Sequence, residues 1–256
     1  MKGVVYRTKN IIVQKIQKGE KNDRCYIIGT GNSLNITCAE IVYNHDPGMR
    51  EFKPNLDKDY TVYAFYITFG SASLEKAPAE IADFVDNLQN NNHYHDIVLV
   101  GHYICGICAA MSTEICKTKV NLVTISTPFF GTIMADKETA EKVLKLKPFI
   151  FMYRKIFNNH NVDKDITPEA RLNSGVPKIS CKQHINIMSE FSGIIDCKDV
   201  LDLFLLFLDR YMRINGNGIV PMSSQAVLNA KTIKIFSSHA HSLEDGLKII
   251  EEENLI

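Results

Sequence analysis

This sequence lacks a net charge. Its 29 acidic and 29 basic side chains cancel over 256 residues, which leaves no electrostatic footprint for nucleic acid or for an anionic membrane. Long apolar runs are missing as well. The most apolar segment, 200–208, contains Asp202 and is too short and too charged to span a bilayer. Tryptophan is absent, but this excludes no class of protein. We expect neither a nucleic-acid partner nor a transmembrane segment.

Cysteine is present, but not in a pattern that builds disulfides. Seven cysteines, an odd number, are scattered through apolar segments, which is typical of a reducing compartment. The N-terminal residues contain only short apolar runs broken by lysine, unlike a secretory signal. We therefore predict a cytoplasmic protein. Cys105 and Cys108 have the spacing of metal ligands, but no second pair completes a site, and the sequence predicts neither a metal nor a cofactor.

Short β-rich runs alternate with helical patterns along the chain. Strands are predicted at 25–28, 61–68, 96–100, 120–125, within 179–188 and at 232–236, and helices at 51–56, 74–90, 104–115, 199–213 and from 243 onward. The alternation is typical of βαβ units, so we predict one α/β domain over residues 1–256, with a mostly parallel sheet and helices on both faces. Residues 136–178 interrupt the alternation and are predicted to form a helical cap.

The junction at 98–106 is the segment most informative about chemistry. A buried strand runs into the sequence GHYICG, residues 101–106, and then into a helix of small residues. A sharp strand–turn–helix of this kind, named the elbow below, lifts its turn residue above the sheet edge and aims the next backbone N–H at a developing oxyanion. Gly101 and Gly106 supply the small neighbours that such a strained turn needs.

Four segments resemble motifs of lipases and esterases of the α/β-hydrolase family. Residues 101–106 are similar to the nucleophile motif GHSMGG, and residues 123–132 (VTISTPFFGT) to a TPHxGT-like strand end. Residues 216–225 (GNGIVPMSSQ) resemble the DGxVP segment that often carries the triad acid, and residues 239–243 (HAHSL) lie where the triad histidine belongs. The order nucleophile, acid, histidine is that of this fold. The resemblance implies an α/β-hydrolase fold.

The resemblance implies three triad positions, and two of them carry residues that differ from the family pattern. Tyr103 occupies the position of the nucleophilic serine, and Asn217 occupies the position of the acid in the DGxVP-like segment. Asp196 and Asp199 follow another strand after which related hydrolases carry their acid, so both remain alternatives. A phenol has a reference pKa of about 10, and its oxygen lies several ångströms beyond the place of a serine Oγ, which argues against tyrosine as a nucleophile.

The third triad position keeps its residue type. The resemblance assigns the base to His241, with His239 as the alternative two residues away. It also implies an oxyanion hole formed by the backbone N–H of Ile104 and by that of Thr30 or Gly31, in the loop after the first predicted strand. Thr30 stands where the family motif has histidine.

Two functions of different classes fit this sequence. The first is a lipase- or esterase-like homologue that lacks serine-hydrolase activity, because of Tyr103 and Asn217, and binds a small apolar ligand such as an acyl ester, or a partner protein. The second is an active carboxylic-ester hydrolase that uses an unconventional nucleophile, or an inactivated variant of such an enzyme.

Overall fold

Eight strands form one sheet in the part of the chain that the computed structural model describes, residues 4–21, 23–30, 56–67, 74–136 and 163–256. The strands are β1 (Val4–Arg7), β2 (Ile11–Gln17), β3 (Arg24–Gly29), β4 (Thr61–Ile67), β5 (Asp96–His102), β6 (Asn121–Ile125), β7 (Gln183–Glu190) and β8 (Lys231–Phe236). Their order across the sheet is β1-β2-β4-β3-β5-β6-β7-β8.

The pairing direction changes at β4. Strands β1 and β2 pair antiparallel, as do β2 and β4, whereas every pair from β4 across to β8 is parallel. The carboxyl ends of parallel strands lie at the same edge of a sheet, so the loops that follow β3, β5, β6, β7 and β8 meet there. In open α/β sheets this edge is where ligands bind.

Six α-helices accompany the sheet among the described residues: α1 (Ala77–Asn92), α2 (Ile104–Ile115), α3 (Pro168–Ser174), α4 (Val200–Tyr211), α5 (Met222–Gln225) and α6 (Ser242–Glu252). Three short 3-10 helices lie at Ile133–Ala135, Asp163–Ile166 and Ile194–Asp196. None of these helices combines the length and the apolar character needed to cross a membrane.

Hydrophobic side chains cover both faces of the sheet. Successive side chains of a strand point to opposite faces, and β5 shows this directly. Leu99 packs in a cluster with residues of α1, α2 and α4, whereas Val98 and Val100 pack in a second cluster with Leu243 and Leu247 of α6. Because β5 is covered on both faces, its residues form a continuous apolar run and do not alternate between apolar and polar.

The predicted element types are confirmed wherever the structure describes them, with boundaries that differ by a few residues. Helix α2 begins and ends where the sequence predicted. Strands β1 and β2 were not predicted. Lys15 interrupts the apolar run of β2, and β1, at the sheet edge, alternates between half-buried and exposed residues. The helix predicted at 51–56 falls outside the described residues, except for Leu56.

The predicted cap at 136–178 is described only in part. Residues 137–162 lie outside the described part of the chain, and the cap as a unit stays a prediction. The described end contains α3 and the preceding 3-10 helix, which pack against the loop after β6. Ile166 is fully buried, its carbonyl accepts from the N–H of Thr132 at 2.9 Å, and Nε of Arg171 donates to the carbonyl of Phe129 at 3.2 Å.

Candidate functional site

The elbow is a sharp turn between β5 and α2. Tyr103 stands between the two elements with φ 54° and ψ −126°, a conformation that costs a non-glycine residue about 1–3 kcal/mol. The N–H of Tyr103 donates to the carbonyl of Ile125 at 3.0 Å, and its own carbonyl accepts from the N–H of Gly106 at 3.0 Å. These bonds hold the turn to the neighbouring strand and to the first turn of the helix.

Two glycines allow this turn to close. A Cβ on Gly101 would lie 2.5 Å from Cα of Gly106, and a Cβ on Gly106 would overlap Oγ1 of Thr127. Neither position leaves room for a side chain, because backbone and a buried threonine already fill the space. The small residues that the sequence placed around the elbow are therefore required by its packing.

The ring of Tyr103 is buried against a histidine. The side chain is 4% exposed, and its ring meets the ring of His239 edge-on, with the centroids 4.8 Å apart. On another side, the ring of His102 lies 5.0 Å from that of His239. The three aromatic rings thus form one cluster at the carboxyl edge of the sheet.

His239 is the histidine at this site. Its side chain is completely buried, and its Nε2 has no hydrogen-bond partner among the described residues. Burial, with a further contribution from the neighbouring His102, holds the pKa of His239 well below its usual value, so the imidazole is neutral at pH 7. Ser242 Oγ donates to the carbonyl of His239 at 3.2 Å and lies 3.0 Å from Nε2 of His102.

Asn217 contacts Nδ1 of His239, with its amide in a fixed orientation. Oδ1 of Asn217 accepts from the backbone N–H of Ile219 at 3.2 Å and of Val220 at 2.9 Å. The amide nitrogen is thereby turned toward Ser189 Oγ at 2.7 Å and toward Nδ1 of His239 at 3.3 Å. Since an amide nitrogen only donates, Nδ1 is the acceptor, and the proton of the neutral ring belongs on Nε2.

His241, the residue that the sequence assigned to the base position, lies in a different setting. Its Nε2 is 3.4 Å from Oδ2 of Asp199 and 3.5 Å from Oδ2 of Asp202, and its side chain is 25% exposed. The reason is the turn after β8: His239 points into the protein, whereas His241 is the residue at which α6 begins. Of the two histidines that the sequence offered, His239 is the one that lies beside Tyr103 and Asn217, and the assignment of the base position stays a prediction.

The alternative acids also have other partners. Oδ2 of Asp196 accepts from the backbone N–H groups of Ser192 at 2.6 Å and Gly193 at 3.0 Å, within its own short turn. Oδ1 of Asp199 accepts from the N–H of Asp202 at 2.9 Å and caps α4. Of the three candidates for the acid position, Asn217 is the one in contact with His239.

The predicted oxyanion-hole residues are described in part. Ile104 is the first residue of α2, where backbone N–H groups have no partner within the helix. Thr30 directly follows β3, and its carbonyl accepts a weak bond from Sγ of Cys105 at 3.4 Å. Gly31 lies outside the described residues, so the pairing of these N–H groups stays a prediction. Cys105 itself is buried, and burial raises the pKa of its thiol well above the usual range, as expected for a packing residue.

Two buried serines extend the polar network behind the site. Ser126, which follows β6 with φ 49°, hydrogen-bonds through Oγ to Ser189 of β7, and both are fully buried. Ser189 in turn accepts from Asn217. No motif in the sequence marked Ser189, because its role follows only from the pairing of β6 with β7.

Comparison with known proteins bears on the fold. No protein-family model and no curated protein matches the sequence. Solved structures do match: the mature form of the Bacillus licheniformis lipase BlEst2 has a TM-score of 0.59 at 11% identity, over 95% of this chain and 97% of that chain. The metagenomic carboxyl esterase MGS0156 has a TM-score of 0.56 at 15% identity, over 93% of this chain and 78% of that chain.

These similarities define the fold. With its mostly parallel sheet, helices on both faces and lipase and esterase structures as neighbours, the chain has the α/β-hydrolase fold, and the predicted fold class is confirmed. The six cysteines that the structure describes are all free. The cytoplasmic location stays a prediction.

Proposed function

We propose that this chain is a lipase- or esterase-like hydrolase homologue that has lost serine-hydrolase activity and now binds a small apolar ligand, such as an acyl ester, or a partner protein. The observation that carries the proposal is the ring of Tyr103, which packs edge-on against His239 at the turn where a hydrolase of this fold presents its serine. Nothing in this proposal requires a metal or a cofactor.

The hydroxyl of Tyr103 is poorly placed for a nucleophile. A serine hydroxyl at position 103 would sit close to the backbone, near the N–H of Ile104, the next residue. A tyrosine at the same backbone position carries its hydroxyl beyond the ring, several ångströms further out. Because displacements of about 1 Å already cost about a hundredfold in rate, this oxygen is badly placed for an attack supported by the same oxyanion donors.

The tautomer of His239 is unsuited to general-base catalysis. A histidine acts as a general base through Nε2 only when its proton is on Nδ1. Here the amide of Asn217, fixed by Ile219 and Val220, donates toward Nδ1 and favours the opposite tautomer. In a serine protease, the equivalent change of aspartate to asparagine lowers kcat by about 10⁴ for this reason.

A positive charge on His239 is also disfavoured at this site. A catalytic histidine becomes an imidazolium during the reaction, and the triad carboxylate stabilises it. His239 is completely buried, faces an amide instead of a carboxylate and lies beside a second histidine. Each of these features disfavours the protonated ring. Tyr103 therefore affects the nucleophilic attack, and Asn217 affects the proton transfer to His239. We expect that reversing one of these two departures alone restores little hydrolysis.

The experiment is a reconstruction of the triad. We expect no hydrolysis of p-nitrophenyl butyrate by the native chain, weak hydrolysis by Tyr103→Ser, and the largest rate for Tyr103→Ser combined with Asn217→Asp. Tyr103→Ala with Asn217→Asp is the matched control, because it opens the same space but offers no hydroxyl. A fluorophosphonate probe should label the serine-bearing variants and not the control.

Two results would count against the proposal. If the native chain already hydrolyses the ester at a rate typical of enzymes, about 1–10³ s⁻¹, the loss of activity is refuted. If the double variant remains folded, as judged by circular dichroism, and yet gains neither hydrolysis nor labelling, the site is not a disabled triad.

A further inference from the structure

Three side chains with metal-binding atoms meet beside the candidate site, in the described part of the chain. Asp199 and Asp202 come from the start of α4, and His241 from the start of α6. One ligand atom from each lies within 4.8 Å of the other two. We propose that Asp199, Asp202 and His241 bind one divalent transition-metal ion, and that Zn²⁺ fits this set of ligands.

A buried carboxylate with an unused oxygen is the independent reason to expect a ligand here. The side chain of Asp202 is completely buried, and its Oδ2 accepts from the backbone N–H of Lys198 at 2.7 Å. Its Oδ1 has no hydrogen-bond partner among the described residues. A buried carboxylate is costly unless it is paired or coordinates a metal. Lys198 does not supply the charge, because its Nζ pairs with Asp245 at 2.6 and 2.8 Å.

Helix capping uses only half of the available carboxylate oxygens. Oδ1 of Asp199 caps α4 by accepting from the N–H of Asp202, and Oδ2 of Asp202 accepts from the preceding backbone. Oδ2 of Asp199 and Oδ1 of Asp202 are not used in these caps. Capping therefore explains why two aspartates stand at the start of α4, but it does not explain why His241 is directed at both.

The distances suit two ligands of one ion better than a hydrogen bond. Nε2 of His241 lies 3.4 Å from Oδ2 of Asp199 and 3.5 Å from Oδ2 of Asp202, beyond the usual 2.7–3.2 Å range of N–H···O bonds. Oδ2 of Asp202 also accepts from the N–H of Lys198, and a carboxylate oxygen has a second lone pair for another partner. Two ligands about 2.1 Å from a tetrahedral Zn²⁺ are about 3.4 Å apart. One imidazole nitrogen and two carboxylate oxygens form a ligand set that suits zinc, with water as the fourth ligand.

The position is accessible and joins two elements. The side chains of Asp199 and His241 are 49% and 25% exposed, so an ion can enter from solvent and keep a water molecule. A bound ion would link the start of α4 to the turn that carries His239, two residues before His241. The sequence did not predict this site, because 38 positions separate Asp202 from His241 in the next-but-one helix.

The experiment uses the full chain after treatment with a chelator. We expect titration calorimetry with Zn²⁺ to give one ion per chain, together with a rise in Tm. His241→Ala and Asp199→Asn should each weaken binding at least about tenfold, since even changes to groups that only orient a ligand cost 10–100-fold. Asparagine caps a helix as well as aspartate does, so Asp199→Asn separates the loss of a ligand from the loss of a cap.

A second histidine–aspartate pair provides the matched control. Nδ1 of His95 lies 3.3 Å from Oδ2 of Asp96 on the surface, and His95→Ala should leave the affinity for Zn²⁺ unchanged. Absence of Zn²⁺ binding would overturn the proposal, and so would binding that His241→Ala and Asp199→Asn do not weaken. Co²⁺ in place of Zn²⁺ adds a readout, because a sulfur-to-metal absorption band would assign the ion to cysteines and would also overturn it.

Discussion

His239 and His241 are two residues apart in the sequence and lie in opposite environments. His239 is completely buried, faces an amide and two aromatic rings, and has a pKa held well below its usual value by burial and by His102. His241 is partly exposed and faces two carboxylates. Local sequence cannot distinguish them, since both fit the position of a triad histidine. Their partners, which come from distant parts of the chain, decide what each can do.

The largest effect that we expect from this difference is a loss of stability in acid. His102, His184 and His239 are buried and neutral, and burial lowers the pKa of His102 to about 3 and that of His184 to about 4. Below pH 6.5 the unfolded chain binds protons at these positions and the folded chain does not, so stability falls as pH falls. Three such groups remove about 3 kcal/mol between pH 6.5 and 5.5.

Urea unfolding at pH 7.5, 6.5 and 5.5 measures this loss. His239→Gln should reduce the loss between pH 6.5 and 5.5 by about one third, as should His184→Gln, whose Nε2 contacts Thr124 at 2.9 Å within the sheet. A free energy of unfolding that stays constant over this range would show that the buried histidines become protonated in the folded protein. The description of His239 as a buried histidine that stays neutral, unlike the partly exposed His241 in its environment, would then be wrong.

The burial of His239 also depends on the close packing of the elbow. Gly106→Ala places a methyl group against Thr127, and we expect a loss of about 1–3 kcal/mol, as for other overpacked positions. Gly193→Ala is the matched control, because nothing lies within 4 Å of a Cβ there and its backbone is extended. Chemical denaturation of the two variants makes the measurement. Equal stabilities would show that the elbow is not tightly packed.

The position of the proton on the His239 ring distinguishes this histidine further, and we expect the test to involve no large change in stability. In the native chain we expect the proton on Nε2, because Asn217 donates toward Nδ1. Asn217→Asp should move the proton to Nδ1 and raise the pKa of His239, since a carboxylate accepts and favours the charged ring. ¹⁵N chemical shifts of the imidazole nitrogens report both changes. A native ring with its proton on Nδ1 would contradict the assigned orientation of Asn217.

Much of the fold follows from the pattern of the sequence. The apolar run of β5 and the small-residue helix α2 have unmistakable patterns, and the alternation of strands and helices is enough to predict a parallel α/β sheet. Strand β1 escaped prediction because an edge strand needs only one apolar face. Strand β2, which is paired on both sides, escaped it because Lys15 breaks the run that marks a buried strand. Such strands are recognised through their partners, β2 through its antiparallel pairing with β4.

The site was predictable only in part. Tyr103 and Asn217 belong to local motifs, and the structure brings both into contact with one histidine. The choice of His239 over His241 depends on the direction that the chain takes after β8, and the orientation of the Asn217 amide depends on the N–H groups of Ile219 and Val220. A side chain carries its identity in the sequence, but its hydrogen-bond partners are set by the packing of the elements.

Ester hydrolysis by the native chain and by Tyr103→Phe tests the central claim most directly. The two proteins differ by one oxygen atom, so the elbow and the ring packing stay in place. We predict that neither hydrolyses p-nitrophenyl butyrate above the rate of the uncatalysed reaction. Turnover by the native chain that Tyr103→Phe abolishes would make the phenol a nucleophile and would contradict the account.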